Sequence, residues 1–325
     1  MAPPEANITP IVKINCQLFI KKQVEVWIKL DYMRHPEVQG NKWHKLKLNM
    51  KEAVKQKKTS LMTFGGAYSN HIASTAAMAH SMGFKSIGII RGDELALNQN
   101  KWSHTLKQAH HKGMQFIFLS RSDYRLKTQT GYLEQLQQQH PQAFIIPEGG
   151  SNKFAIDGFR DFMLESNQQL PDWTHLYTAV GTGGTLAGIT KYALVNKDFS
   201  IPNCYYQTQK QVVGVATLKN AHYLKPQINQ WIKSEKHLGS NKAQWRLLTD
   251  YHHGGYAKTS KELKEFINWF EEQFNIPLDP IYTGKMLYAF FSELKSNNIS
   301  KGSKVLLIHT GGLQGRQPEK ASFNL

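Results

Sequence analysis

The feature that most constrains the fold is an alternation that repeats along the middle of the chain. Short runs of β-branched and aromatic residues are each followed by a glycine or polar turn and then by an amphipathic stretch. This alternation is typical of βαβ units, in which parallel strands are connected by helices. In the first block it predicts strands at residues 60–64, 85–90, 115–119 and 143–146 and helices at residues 69–82, 98–111 and 130–139.

The pattern restarts after the polar turn at residues 147–151. It predicts strands at 174–180, 211–216 and 304–309 and helices at 156–165, 186–195, 219–233, 260–274 and 284–294. We therefore predict an α/β protein of two domains, with a smaller parallel α/β domain inserted in a larger one. The predicted small domain is residues 46–154, and the predicted large domain is residues 1–45 and 155–325.

Composition excludes several classes of protein. The 325 residues are 40% apolar and 20% charged, which is ordinary for a globular chain and unlike a disordered tail or a coiled coil. Apolar runs are far shorter than the ~20 residues that cross a bilayer, so no membrane segment is predicted. The N-terminus lacks a basic segment followed by an apolar core, and we expect a cytoplasmic protein. Two cysteines, Cys16 and Cys204, cannot build a zinc site alone, and no metal is predicted.

The net charge of +16 raises the question of a nucleic-acid partner. Lys supplies 33 of the 40 cationic residues and is spread along the chain, whereas Arg occurs only seven times. Arg is the residue suited to forked contacts with phosphate and guanine. We therefore expect no nucleic-acid partner, and the excess charge instead favours anionic ligands.

A glycine turn at residues 181–185, Gly-Thr-Gly-Gly-Thr, lies between a predicted strand and a predicted helix. Glycine lets the backbone approach an anion closely, and the free amides at a helix start donate to phosphate oxygens. The turn is not a dinucleotide fingerprint, because Leu186 occupies the third glycine position, and it is not a P-loop, because no Gly-Lys-Ser/Thr follows. A phosphate cup and a bare strand-to-helix turn both fit this pattern.

Two further segments open predicted helices. In the run Gly-Gly-Ala-Tyr-Ser-Asn-His at residues 65–71, Ser69 and Asn70 fit either a helix cap or a site that binds a carboxylate. The run Gln-Gly-Asn-Lys-Trp-His-Lys-Leu at residues 39–46 carries Lys42. A lysine in a sheltered cleft loses its proton readily and can form a Schiff base with an aldehyde cofactor.

These segments together resemble one family. Five motifs follow one another in the order seen in the pyridoxal-phosphate enzymes that comprise 1-aminocyclopropane-1-carboxylate (ACC) deaminase and D-cysteine desulfhydrase. They are Gly-Asn-Lys at 40–42, Gly-Gly-x-x-Ser-Asn-His at 65–71, Gly-Thr-Gly-Gly-Thr at 181–185, Asp-Pro-Ile-Tyr-Thr-Gly-Lys at 279–285 and His-Thr-Gly-Gly at 309–312. The resemblance runs from residue 8 to residue 312. It implies the tryptophan-synthase-β-like fold, fold type II, with pyridoxal 5'-phosphate as cofactor, a small amino acid as substrate and a homodimeric assembly.

The resemblance also implies the site residues. Lys42 holds the cofactor as a Schiff base and later moves the α-proton of the substrate, while Ser69 and the neighbouring amides bind the substrate carboxylate. The small domain, which carries Ser69, moves to close the cleft. The implied catalytic residues are Lys42, Ser69, Tyr256 and Tyr282, and the implied cofactor-binding residues are Lys42, Asn70, Gly181, Thr182, Gly183, Gly184, Thr185, Thr283 and Thr310.

Two threonines indicate which reaction of the family to expect. The deaminase pattern has glutamate where this chain has Thr283 and leucine where it has Thr310, and the desulfhydrase pattern has threonine at both. We therefore predict β-elimination from D-cysteine to pyruvate, hydrogen sulfide and ammonia. ACC deaminase is the alternative, because Tyr68 replaces a glutamine common to both enzymes and leaves the substrate open. A basic binding protein without enzymatic activity is the third hypothesis.

Overall fold

Two sheets form the framework of the molecule. The computed structural model describes residues 5–195, 210–233 and 243–313, so Cys204 lies outside the described residues. The strands are β1 Ile11–Ile14, β2 Glu25–Lys29, β3 Ser60–Gly66, β4 Lys85–Arg91, β5 Met114–Leu119, β6 Ala143–Ile146, β7 His175–Val180, β8 Gln211–Ala216, β9 Gln244–Leu248 and β10 Lys304–Ile308. The helices are α1 Gln17–Lys22, α2 Asn41–Lys55, α3 Asn70–Ser81, α4 His104–His111, α5 Thr130–Gln139, α6 Lys153–Asp157, α7 Phe159–Gln169, α8 Gly184–Tyr192, α9 Leu224–Lys233, α10 Lys261–Phe274 and α11 Thr283–Lys295.

Both sheets are largely parallel, as the alternation predicts. The larger has the order β1-β2-β10-β7-β8-β9, and only the pair β1–β2 is antiparallel. The smaller has the order β5-β4-β3-β6 and is parallel throughout. The predicted α/β fold class is therefore confirmed. The predicted boundary after residue 45 falls inside α2, and the limits of the inserted domain stay a prediction.

Each face of the larger sheet is covered by its own helices. Val305 and Leu307 of β10 pack with α10 and α11, and the alternate residues Leu306 and Ile308 pack with α7, α8 and α9. This alternation is the period of two that a strand imposes on its side chains. Both faces are apolar, which is why these strands appear in the sequence as short continuous hydrophobic runs.

Several element boundaries differ from the sequence prediction. The helix expected at 156–165 is two helices, α6 and α7, that meet at Gly158. A Cβ at Gly158 would lie 1.9 Å from the carbonyl oxygen of His44, so α2 passes too close for any side chain there. The starts of two other expected helices, at 98 and 219, are short 3-10 turns or loops before α4 and α9. The sequence prediction did not include β1, β9 and α1, which are only four to six residues long.

The carboxyl ends of β3, β7 and β10 face one another across a cleft between the two sheets. Helices α2, α3, α8 and α11 begin at or near this cleft. In open parallel sheets, ligands bind at the carboxyl ends of the strands, so the topology marks this cleft as the site. No helix within the described ranges is long and apolar enough to cross a membrane.

Candidate active site

The cleft has a volume of about 850 Å³ and is bounded by two walls. The large-sheet wall includes the turns that follow β7 and β10, the start of α2, and the two tyrosines Tyr256 and Tyr282. We count the turn at residues 149–151 with this wall, because Ser151 contacts Thr182, although the turn follows β6 of the small sheet. The small-sheet wall consists of Gly66 and residues 69–71, which follow β3, together with Arg91 at the end of β4. Nearly every segment singled out in the sequence therefore contributes to one cavity.

Lys42 is positioned by a close contact between α2 and the end of β10. Gly40 precedes the helix with φ of 52°, and a Cβ on it would lie 2.2 Å from the carbonyl oxygen of Thr310. The amide of Asn41 donates to that same oxygen at 3.2 Å. Only glycine fits at this position, so the motif Gly-Asn-Lys places the second residue of α2 at the cleft.

The amine of Lys42 is sheltered and has one hydrogen-bond acceptor among the described residues. Its Nζ donates to Oδ1 of Asn41 at 2.8 Å and lies 5.9 Å from the ring centre of Tyr282. Burial lowers the pKa of Lys42 to about 8, against the opposing effect of the Asp279 carboxylate. A much larger fraction of this amine is neutral at pH 7 than of an exposed lysine, and the neutral amine is the form that attacks an aldehyde.

A second lysine lies one turn further along α2. Lys45 Nζ donates to the carbonyl oxygen of Gly149 at 2.8 Å and to Oγ of Ser151 at 3.3 Å. Burial and the nearby charge of Lys42 lower the pKa of Lys45 well below its ordinary value. The sequence analysis gave Lys45 no role, although its spacing of three from Lys42 places both on one face of the helix.

The glycine turn at residues 181–185 forms a cradle at the start of α8. Gly183 has φ of 86° and a Cβ there would lie 2.8 Å from Ile228, while a Cβ on Gly184 would lie 2.5 Å from Oγ of Ser151 and 3.3 Å from Lys45 Nζ. Oγ1 of Thr182 lies 2.6 Å from Oγ of Ser151. Helix amides, two hydroxyls and the buried Lys45 amine therefore lie close together, which is a donor set suited to a phosphate.

The other wall begins with a capped helix. Ser69 is the N-cap of α3, and its Oγ accepts a hydrogen bond from the amide of Ile72 at 3.4 Å, as the capping interpretation predicts. Asn70 is the first residue of α3 and is 6% exposed, and its Oδ1 is buried with no partner among the described residues. The free amides of this helix start face the cleft, where they would bind a carboxylate.

His71, the next residue, had no role in the sequence analysis. It is 2% exposed and lines the cleft, and its Nε2 lies 2.9 Å from Oγ1 of Thr63. Burial, with the charges of Lys42 and Lys45, lowers the pKa of His71 well below its ordinary value. His71 is therefore a neutral imidazole near neutral pH.

Two tyrosines meet beside Lys42. The hydroxyl of Tyr282 donates to that of Tyr256 at 3.4 Å, and burial raises the pKa of Tyr282 well above its ordinary value. Both tyrosines stay protonated at neutral pH.

The start of α11 is fixed by the buried carboxylate of Asp279. This carboxylate accepts hydrogen bonds from the amides of Ile281, Tyr282 and Thr283 at 3.0, 2.6 and 2.8 Å.

A third buried lysine holds the segment that carries Tyr256. Lys285 Nζ donates to the carbonyl oxygens of His252 and Gly255 at 2.8 Å each. Burial lowers the pKa of Lys285 to about 8. The sequence analysis quoted Lys285 in the motif at 279–285 but gave it no role. Its contacts tie α11, which begins beside Tyr282, to the loop that ends at Tyr256.

The remaining sequence candidates differ in their placement. Thr310 lines the cleft directly after β10, whereas Thr283 is fully buried at the start of α11, and its Oγ1 has no partner in the described part of the chain. His309 lies outside the cleft lining and bonds the carbonyl oxygen of Pro277 at 2.7 Å. Tyr68, which stands in place of the family's glutamine, is 57% exposed and also lies outside the lining.

The mouth of the cleft is positively charged. Of the charged residues that the structure describes there, four are basic, namely Arg91, Lys127, Lys219 and Lys258, and one is acidic, Glu148. The Glu148 carboxylate accepts the hydroxyl of Tyr124 at 2.8 Å and lies 3.5 Å from the Lys127 ammonium. This charge favours anionic ligands. The described residues contain no group of three His, Cys, Asp or Glu side chains arranged to hold a metal ion.

Comparison with known proteins identifies the family. A family model described as pyridoxal-phosphate dependent enzyme matches residues 4–311. The chain belongs to this family. It is an enzyme of fold type II whose cofactor is pyridoxal phosphate, as the ordered motifs predict. This membership removes the basis for the hypothesis of a basic binding protein without activity.

Relatives of this pyridoxal-phosphate dependent enzyme carry the two names that the motifs indicate. A putative ACC deaminase of Thermotoga maritima is 29% identical over 297 residues, which is 89% of either chain. A mitochondrial bifunctional D-cysteine desulfhydrase/ACC deaminase of Arabidopsis thaliana is 29% identical over 306 residues, 90% of this chain and 73% of the relative. The crystal structure of an ACC deaminase homologue has a TM-score of 0.79 at 25% identity and covers 97% of this chain and 93% of its own.

The residues of this pyridoxal-phosphate dependent enzyme fit the cofactor. The cradle at residues 181–185 is left open by glycines at positions 183 and 184, where a Cβ would meet neighbouring atoms. Lys45, Ser151 and Thr182 supply donors beside it. Ser151 was missed by the sequence analysis, because it reaches the cradle only through the contact of two turns 31 residues apart.

Proposed function

We propose that the enzyme catalyses β-elimination and deamination of a small amino acid, as D-cysteine desulfhydrase does. D-Cysteine and water would give pyruvate, hydrogen sulfide and ammonia. The observation that carries this proposal is the half-buried Lys42 amine, which has a lowered pKa and lies between the start of α3 and the glycine cradle at the start of α8. The names of the relatives from Arabidopsis thaliana and Thermotoga maritima support both this reaction and ACC deamination.

The two walls would divide the work of binding. Bound pyridoxal phosphate supplies an aldehyde for an amine and a conjugated ring that takes up the electrons left when a carbon loses its proton. The phosphate would be held by Lys45, Ser151, Thr182 and the amides of the cradle, which lie together in the structure. Ser69 and the first amides of α3 hold the substrate carboxylate, which fixes the α-carbon relative to Lys42.

Lys42 would act twice. As a neutral amine it would be the group that holds the cofactor aldehyde, and as a free amine it would be the base that receives the proton from the α-carbon of the substrate. Asn41 orients the amine through the bond to its Oδ1, and Asn41 is itself held by donating from Nδ2 to Oγ1 of Thr185 at 2.9 Å. Tyr282, which is bonded to Tyr256, lies beside Lys42, and because both tyrosines stay protonated they would not compete for the proton.

Thr283 supports elimination from D-cysteine over opening of a cyclopropane ring. In the deaminase pattern a glutamate at this position lies near the pyridine nitrogen and keeps it protonated. A neutral hydroxyl does not stabilise that positive charge as a carboxylate does. This support comes from the residue type alone, since Thr283 is fully buried at the start of α11 and lies outside the lining of the cleft. The predicted homodimer and cytoplasmic location stay predictions.

The test is a product assay with the purified holoenzyme. We expect pyruvate, sulfide and ammonia in equal amounts from D-cysteine, with lower rates from L-cysteine and ACC. Formation of 2-oxobutanoate from ACC without pyruvate from D-cysteine would show that the enzyme is the deaminase. D-Serine and β-chloro-D-alanine have the same α-carbon as D-cysteine but a different leaving group on the β-carbon. Their rates therefore show how strongly the enzyme selects for the thiol.

A further inference from the structure

The tautomer of His71 is fixed by a chain of hydrogen bonds. The hydroxyl of Thr63 donates its single proton to the carbonyl oxygen of Ile146 at 2.9 Å, because a carbonyl oxygen can only accept. At its contact with His71 Nε2, also at 2.9 Å, the same hydroxyl oxygen must therefore accept. His71 carries its proton on Nε2, and Nδ1 carries a bare lone pair.

This lone pair is an unused acceptor at the cleft. His71 is 2% exposed, and its Nδ1 has no hydrogen-bond partner among the residues the structure describes. The ring faces Gly150, where a Cβ would lie 3.4 Å from Nδ1, so the absence of a side chain leaves this edge open. A buried acceptor without a donor is costly, and such atoms in native proteins call for an explanation.

Lys42 has the complementary surplus of donors. Its ammonium has three N–H groups, and the described contacts give it one acceptor, Asn41 Oδ1. Lys45, the other lysine whose charge acts on His71, already donates to Gly149 and Ser151. Lys42 and His71 line the same cleft from its two walls. The structure shows no hydrogen bond between them, because Nζ of Lys42 is bonded to Asn41, so Nζ would reach His71 by turning across the cleft.

We propose that His71 is a positioning residue whose Nδ1 accepts a hydrogen bond from the protonated amine of Lys42. This inference rests on the proposed function. When Lys42 takes the α-proton, the C–H bond breaks, the new N–H bond forms on Nζ, and the electron pair of the C–H bond stays with the substrate. His71 takes no proton, and its lone pair stabilises the new ammonium at the point where it must return the proton.

The first test uses the apo-enzyme and needs no turnover. In ¹⁵N-labelled protein, the His71 ring should show a protonated Nε2 and an unprotonated Nδ1, and it should stay neutral from pH 6 to pH 8. A proton on Nδ1, or titration near the ordinary histidine pKa of ~6.5, would overturn the proposal. The test concerns the folded wild-type chain, so it does not depend on any variant.

The second test compares two substitutions that each keep one nitrogen position of the ring. His71→Gln keeps a donor for Thr63 but loses the acceptor at the Nδ1 position, and His71→Asn keeps an acceptor near Nδ1 but loses the bond to Thr63. The pKa of Lys42 is read from the pH dependence of its acetylation in the apo-enzyme, with mass spectrometry of the peptide. Loss of one hydrogen bond to an ammonium should lower that pKa by about one unit in His71→Gln and much less in His71→Asn.

The outcomes separate this inference from the proposed function. Equal pKa values of Lys42 in wild type and His71→Gln, or a larger shift in His71→Asn, would show that His71 serves the packing of β3 instead. If D-cysteine proves not to be a substrate, the proposed function fails, but the tautomer and the Lys42 pKa still decide the role of His71. Circular dichroism confirms that each variant is folded before its pKa is compared.

Discussion

The two walls of the cleft differ in how far their polar groups are already paired. On the large-sheet wall, Lys45, Ser151 and Thr182 bond one another or nearby carbonyl oxygens. On the small-sheet wall, Oδ1 of Asn70 and Nδ1 of His71 are buried without partners in the described structure. The polar groups of the large-sheet wall are therefore paired before a ligand binds, whereas the two unpaired acceptors of the small-sheet wall would gain partners only from a ligand. From this difference we expect the proposed phosphate site to determine cofactor affinity and the opposite wall to contribute to the reaction.

The largest effect is expected at the residue between the walls. Lys42→Ala removes both the amine that reacts with the aldehyde and the base that takes the α-proton, so kcat/KM for D-cysteine should fall by at least about 1,000-fold. The visible absorbance of the bound cofactor should change as well, because no covalent link to the chain can form. Retained turnover by this variant would remove Lys42 from the mechanism.

The pH dependence of Lys42 sharpens the comparison between a sheltered and an exposed amine. Because its pKa is lowered to about 8, the reaction of the apo-enzyme with pyridoxal phosphate should speed up as the pH rises through 8 and then level off. An ordinary lysine would still be gaining reactivity near pH ~10.4. The rate is followed by absorbance from pH 6 to pH 10, and an increase that continues unchanged past pH 9 would contradict the burial of this amine.

The large-sheet wall should govern cofactor affinity. Lys45→Met removes one N–H donor from the cradle, and loss of a hydrogen bond to a charged phosphate costs ~1.5–3 kcal/mol, so Kd for pyridoxal phosphate should rise roughly 10- to 100-fold. Lys51→Met is the matched control, since Lys51 lies on the same helix and is exposed. Both values come from titration of the apo-enzyme. Equal Kd values for the two variants would place Lys45 outside the phosphate site.

The small-sheet wall should govern catalysis more than affinity. Asn70→Ala deletes an acceptor that has no partner before binding, so the thermal midpoint of the apo-enzyme should change little. We expect kcat for D-cysteine to fall about 10-fold, with Kd for the cofactor raised less than in Lys45→Met. An Asn70→Ala variant that loses cofactor affinity as strongly as Lys45→Met would abolish the distinction between the walls.

The sequence predicts the backbone of the cleft better than the contacts across it. The strands of the small sheet and the glycine turns follow from local patterns, because turn geometry and period are properties of neighbouring residues. The roles of Lys45 and Ser151 depend on a contact between segments 106 residues apart, and that of Lys285 on a loop 30 residues away. No local pattern reports such pairings, and the free lone pair of His71 follows only from the hydroxyl chain through Thr63.

Ser69 gives the smallest and most discriminating effect, because its side chain has two proposed roles. As the N-cap of α3 it stabilises the fold, and Ser69→Ala should lower the free energy of unfolding by about 1 kcal/mol. Ser69→Asp keeps a capping oxygen, so its stability should match the wild type, measured by urea unfolding of the apo-enzyme. The added negative charge would face the substrate carboxylate, and KM for D-cysteine should rise more in Ser69→Asp than in Ser69→Ala. If KM instead follows stability across the two variants, the serine acts only as a cap, and the carboxylate of the substrate is held by the backbone amides of α3 alone.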